Sequence, residues 1–391
     1  MKATVFKLLI VVLGPIALLG VAFILRPMAV ASLVYPIIES IVIDDFIGLT
    51  TDGEIREGLY SIEPTGVSTQ EVVTSAETFL ATLSEEQRHR ASFPVDDIEW
   101  QKWSNIHIAP RQGVGFLEFD DKQATAAFGL IKSGLSRRGY QTARNIMRLE
   151  GYLAELTDKH REFGEKRYWI TIMGEPSTTE PWGWQVDGHH LVINFFVLGD
   201  QVVMTPTFMG SEPTNTNEGV YAGTRILDEE LAKGLDLINA LPPAQQDEAI
   251  VSKDKIRNDN KGELWQDNIV LPYQGLLVSS LDDRNQALAR ELIRLYTGKM
   301  RQGHDEIKFN EILEHWDETY FSWIGGTAED SVFYYRFHSP VVLIEYDHQT
   351  PREIEDSAGP SRDHVHTVVR TPNGNDYGKD LLKQHRARHH N

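Results

Sequence analysis

Helical and extended patterns come in blocks along this chain of 391 residues, and that arrangement speaks against a doubly wound parallel sheet, which needs strand and helix to alternate. Ser68 and Glu71 form a capping box ahead of Val72, Val73, Ala76, Phe79 and Leu80, so a helix begins near Thr69. Lys122 to Arg138 and Ala143 to Lys159 carry helical periodicity on either side of Gly139-Tyr140 and read as a helical hairpin. Extended patterns follow: Trp100 to Ile108 further upstream, then Arg167 to Met173, and His189 to Leu198 with Gln201 to Thr205 flanking the turn signal Gly199-Asp200. Asp228 to Leu241, stopped by Pro242-Pro243, and Asp282 to Thr297 are helical, while the polar stretch Gln245 to Lys261 reads as a surface excursion. Ser331 to Phe337, Val341 to Tyr346 and His364 to Arg370 close the chain as a second group of strands. The expected fold is α+β, with a mixed, largely antiparallel sheet or sheets covered by helices, in a single large domain over 67–385.

The N-terminus has a different character. Lys2 and Lys7 precede an uncharged run from Leu8 to Leu25, which as a helix would be about 27 Å long and could cross a bilayer. Basic residues before the run and an acidic body after it place the body outside the cytoplasm. Ala29-Val30-Ala31 before Ser32 resembles a cleavage site, so 1–31 is expected to be a membrane anchor or signal segment. Residues 32–66 read as linker or irregular chain; within them Ser32 to Ile43 is apolar again and could extend the anchor, lie at the interface or pack on the body. Residues 386–391 read as a disordered tail.

Composition removes several classes of function. No cysteine is present, so thiolate metal sites, disulfides and cysteine nucleophiles are excluded, and any metal must be held by His, Asp, Glu or Asn. A formal net charge of -19 argues against nucleic acid as a partner.

Two stretches carry candidate chemistry. The first, Trp182-Gly183-Trp184 to Gly188-His189-His190, leads into an apolar strand on which adjacent histidines would point to opposite faces; the bland reading is a core-edge turn with packed indoles. In the second, His364, His366 and Arg370 share one face of a strand by strict alternation, and two imidazoles at i and i+2 can ligate one ion. Glu345, directly after an apolar run, is the expected third donor, with His190 as a further ligand; Asp376, His385, Asp347 and His348 could extend the cluster. Two histidines and a carboxylate suit a divalent metal, zinc or iron. Without a metal, His190 or His366 would act as general base oriented by Glu345 or Asp376, with Arg111 and Arg370 binding an anionic group and Trp182 and Trp184 forming a stacking wall for a small-molecule or carbohydrate ligand. Ser133 and Ser136 lack the setting of a serine nucleophile.

These stretches, with Thr205-Pro206-Thr207-Phe208-Met209-Gly210-Ser211-Glu212-Pro213 and with Arg370-Thr371-Pro372-Asn373, Asp376-Tyr377-Gly378 and His385, resemble the uncharacterised family known as domain of unknown function 3500. The resemblance runs from about Thr69 to His385. It implies one continuous domain in which the two histidine stretches belong together, and it implies no reaction. The expected function is an exported, membrane-anchored, metal-dependent hydrolase acting on an extracellular small molecule. A non-catalytic envelope sugar- or ligand-binding protein and a metal-dependent oxidoreductase are the alternatives.

Overall fold

A computed structural model describes residues 27–354 and 357–389, so the apolar run 8–25 and the last two residues lie outside it. Eight strands carry the architecture: β1 (Tyr168–Met173), β2 (Trp182–Gly188), β3 (Leu191–Leu198), β4 (Thr207–Ser211), β5 (Tyr320–Gly325), β6 (Phe333–His338), β7 (Leu343–His348) and β8 (Val365–Arg370). They lie in the order β1-β2-β3-β4-β8-β7-β6-β5, and each neighbouring pair is antiparallel. The short strands Ser92–Phe93 and Ile250–Ser252 add parallel edges beside β1 and β5. The sheet is therefore mixed and largely antiparallel, as the blocks of strand sequence predict. Its two halves come from distant parts of the chain and meet where β4 pairs with β8, with His366 opposite Gly210.

The longer helices are α1 (Pro27–Val42), α2 (Gln70–Thr82), α3 (Asp121–Gly134), α4 (Arg137–Thr157), α5 (Asp228–Ala240), α6 (Asp283–Thr297), α7 (His304–Glu314) and α8 (Lys379–His389). One apolar cluster joins residues of α2 to α7 to both halves of the sheet. Among the described residues, no helix is long and apolar enough to cross a membrane.

Four local expectations need correction. The hairpin of α3 and α4 breaks at Leu135-Ser136, ahead of Gly139-Tyr140: the Ser136 hydroxyl caps α4 by accepting from the Gly139 N–H at 3.0 Å. Gly139 lies inside that helix because a Cβ there would come within 2.1 Å of the Lys299 carbonyl. Trp100 to Ile108 is not a strand; a 3₁₀ turn at Ile98–Lys102 leads into a loop that Arg111 holds by its carbonyls. Ser32 to Ile43 is largely helical rather than irregular, and the tail stays helical to His389. Gln245 to Lys261 runs mostly over the surface as expected, while Lys255 and Asp259 within it turn inward and are buried.

Candidate metal centre

Three imidazoles from the two histidine stretches meet at the junction of β3, β4 and β8. His190 ends the two-residue turn between β2 and β3, His366 lies on β8, and His364 immediately precedes β8. The Nε2 atom of His364 is 3.3 Å from that of His190 and 3.0 Å from that of His366. All three residues are buried. Gly210 on β4 makes the approach possible, because a Cβ there would sit 2.9 Å from the His366 ring and 3.3 Å from the His190 ring.

The outward nitrogens fix the tautomers. His364 Nδ1 faces the Thr350 carbonyl at 3.0 Å, and a carbonyl only accepts, so Nδ1 carries the proton and Nε2 a lone pair. His366 Nδ1 donates to Glu263 at 2.7 Å, and His190 Nδ1 donates to Glu150 at 3.2 Å. Burial pushes the pKa of His364 well below its ordinary value and lowers that of His366. Burial alone would raise Glu150, but its two histidine partners outweigh that and bring it down to about 2; Glu263 is lowered in the same way, chiefly by His366. The carboxylates are thus ionised acceptors, and the lone pairs of His190, His364 and His366 point at one another.

Three acceptors at this spacing repel unless a cation lies between them. A single shared proton bridges one pair and leaves the third nitrogen unmatched. An ion with metal–nitrogen bonds of about 2.0–2.1 Å spaces its donors by about 3.3 Å at a tetrahedral angle and about 2.9 Å at a right angle, which brackets the separations seen here. The group His190, His364 and His366 can hold a metal ion, and its outer nitrogens have the partners that usually orient such ligands.

The supporting residues are not among the candidates read from the sequence. Glu150 sits on the buried stripe of α4 with Met147 and Ala154 and grips two histidines at once, His190 through Oε2 and His189 through Oε1 at 2.6 Å. The signal for it was a carboxylate in the apolar stripe of a helix. His189 and His190 therefore do not point to opposite faces: they occupy a turn, not a strand, His190 takes the left-handed backbone at φ 60, and the two rings stack at 3.7 Å. A non-glycine residue held at positive φ costs on the order of 1–3 kcal/mol. Burial lowers the His189 pKa to about 3, so it too stays neutral. Glu212, from the Gly210-Ser211-Glu212 stretch, accepts from the N–H groups of Arg352, Glu353 and Ile354 and lies 3.4 Å from His364 Nδ1.

Glu345 is not a ligand. It lies on β7 opposite Val368, and its oxygens accept from the N–H groups of Lys261 and Gly262 and from Tyr334. Asp347 similarly takes the N–H groups of Asp259 and Asn260 and pairs with Lys255. Arg370 is fully buried: it donates to the carbonyls of Gly262 and Glu263 and pairs with Asp267 and Asp376. These side chains clip the 255–267 segment onto the sheet face, which presents Glu263 to His366. Arg370 and Asp376 thus have structural partners in place of the substrate and acid–base roles expected of them.

The remaining expectations also change. His348 uses Nδ1 to accept from the Phe333 N–H, and His385 lies by Glu180. Arg111 is buried against Asp187 and loop carbonyls. Trp182 and Trp184 are fully buried, Trp184 stacked on Phe195, so neither forms a wall of the site. The cavity over the three imidazoles measures about 530 Å³ and is lined instead by Asn105, Ile106, His107, His189, Leu264, Gln349 and Arg352, among others.

No curated protein and no solved structure matches the chain. A family match spans residues 65–379, covering both histidine stretches, α4 and the 255–267 segment, and the chain belongs to the family described as protein of unknown function DUF3500.

Proposed function

We propose that this protein is a metal-dependent enzyme whose ion is held by His190, His364 and His366, and that it hydrolyses a small molecule outside the cytoplasm. The observation that carries this reading is the convergence of three Nε2 atoms, that of His364 lying 3.3 and 3.0 Å from those of His190 and His366, on the floor of an open cavity. Three neutral nitrogens leave the charge of a divalent ion uncompensated, and such an ion lowers the pKa of water to near neutrality and polarises a carbonyl or phosphoryl oxygen. Zinc suits that role best.

The chain's own residues supply the rest. Glu150, Glu263 and the Thr350 carbonyl hold each imidazole in the ligating tautomer. His107 and His189 face the cavity beside the centre, their rings 5.5 Å apart, and Asn105 and Gln349 offer amide groups to a polar substrate. The burial of Trp182 and Trp184 removes the aromatic groove on which a sugar-binding reading rested. A nitrogen-only donor set also suits copper or iron, so an oxidoreductase is the second reading, and the identity of the ion separates the two.

The deciding experiment is metal analysis of the full chain purified without a His tag, beside His364→Ala/His366→Ala, with both assayed on ester, amide and phosphoester panels. Near-stoichiometric zinc and hydrolysis, both lost in the variant, are expected. Copper or iron would favour the oxidoreductase. A folded wild type that is metal-free and takes up no added zinc overturns the proposal.

A further inference from the structure

Helix α1 has two unlike faces. Ala31 and Tyr35, one turn apart, are buried against Ala109, Ile106, Ile108 and Trp265. The opposite face repeats at the same interval: Leu33 is 73% exposed, Ile37 61% and Ile41 71%. No exposed residue of this helix is charged, in a chain where charged residues make up 24%. The two exposed serines are also satisfied within the helix, Ser32 donating to the Met28 carbonyl and Ser40 to the Ile37 carbonyl. The one carboxylate of the helix, Glu39, is half-buried near Lys102. A continuous apolar face without a charged side chain is unfavourable in water and marks a contact surface.

The sequence indicates which contact. The uncharged run Leu8 to Leu25 ends one residue before Arg26-Pro27, so if it crosses a bilayer, α1 emerges at the headgroup level. A helix there, with one apolar and one protein-bound face, lies in the interface plane with its apolar side in the acyl boundary. We infer that the Leu33, Ile37 and Ile41 face of α1 rests on the lipid bilayer surface. This rests on the tether proposed for residues 1–31. It also sets the orientation of the body, because the loop under α1 includes Ile106, which lines the cavity over the three imidazoles, and Trp265 adjoins Leu264 of the same cavity. The side of the cavity lined by Ile106 and Leu264 is thereby held next to the membrane.

The absence of cysteine allows a direct test on the full chain. Leu33→Cys, Ile37→Cys and Ile41→Cys, each spin-labelled and reconstituted into phosphatidylcholine–phosphatidylglycerol vesicles, are compared with Val220→Cys, at a position 83% exposed and distant in sequence. Single changes at exposed sites leave folding nearly untouched. The three α1 labels should collide with oxygen several-fold more, and with a water-soluble nickel chelate several-fold less, than the label at 220. Labels equally open to the chelate overturn the assignment, as does dipolar broadening that shows a second copy covering the face. A carbonate wash reports the tether separately: a chain that washes off overturns both, whereas a chain that stays bound with aqueous labels overturns the α1 assignment alone.

Discussion

Strand β8 carries two buried polar clusters that differ in one respect. At its C-terminal end each of the three guanidinium nitrogens of Arg370 meets an acceptor: the carbonyls of Gly262 and Glu263 at 2.7 and 3.0 Å, and the carboxylates of Asp267 and Asp376. At its N-terminal end His364 and His366 are matched only on their outer nitrogens, and the inner ones face each other and His190 without protons. Burial of polar groups does not by itself distinguish structure from function. A cluster complete within the protein holds a segment in place, while one that lacks a cation of its own can receive one.

The largest expected effect tests the complete cluster. Arg370→Met leaves Asp267 and Asp376 buried without their partner and should cost about 3–5 kcal/mol, read as a fall in the urea midpoint with or without metal. A loss under about 1 kcal/mol would show that Arg370 is held no more firmly than a surface pair, and the contrast between the two ends of β8 would collapse.

The open cluster should respond to metal instead. Zinc at 100 times its dissociation constant should stabilise the wild type by about 2.7 kcal/mol, measured by thermal unfolding, and should leave His364→Ala/His366→Ala unchanged. An equal shift in both proteins would place the ion elsewhere.

Between these lies the carboxylate support. Glu263→Gln keeps the shape of the side chain but weakens its hold on His366 Nδ1, and should lower zinc affinity about 10- to 100-fold in a chelator competition titration. Glu345→Gln touches the same imidazole only through the Lys261 and Gly262 amides, so its effect on affinity should be smaller. If the order is reversed, the 255–267 segment governs the site more than Glu263 does.

How far the sequence reached follows from what kind of signal each residue gives. Strict alternation put His364, His366 and Arg370 on one face of β8, and the pairing of β8 with β4 beside the 189–190 turn supplied the contact with His190. Alternation could not show that His189 and His190 form a turn, because an apolar strand begins directly after them and the left-handed backbone of His190 has no glycine to announce it. Glu345 was assigned as a ligand because a carboxylate beside an apolar run needs partners. It has them, but they are the Tyr334 hydroxyl and backbone N–H groups 83 and 84 residues away in the chain. Glu263 lies in a polar segment whose inward fold depends on Asp347, Glu345 and Arg370, which no local pattern reveals. The tryptophans were legible as apolar mass, and their burial is the ordinary outcome for such residues.

The smallest expected effect tests the neutrality on which the open cluster depends. His338 on β6 is a buried imidazole; among the described residues neither ring nitrogen has a hydrogen-bond partner, and burial, reinforced by Arg336, lowers its pKa from 6.5 to about 3. Its unfolded form takes up a proton as pH falls below 6.5, while the folded form resists until about pH 3. The unfolded state therefore binds more protons across that window, and stability falls as pH drops through it. Between pH 8 and pH 5 this one residue should account for about 2 kcal/mol of lost stability, so urea unfolding of His338→Leu should show a correspondingly smaller loss. His338 has no second imidazole facing it, so the same neutrality creates no cation site there; convergence, in addition to burial, is what distinguishes His190, His364 and His366. If His338→Leu leaves the acid limb unchanged, burial is not keeping this imidazole neutral. Protons shared among the three histidines would then compete with metal as the account of their approach.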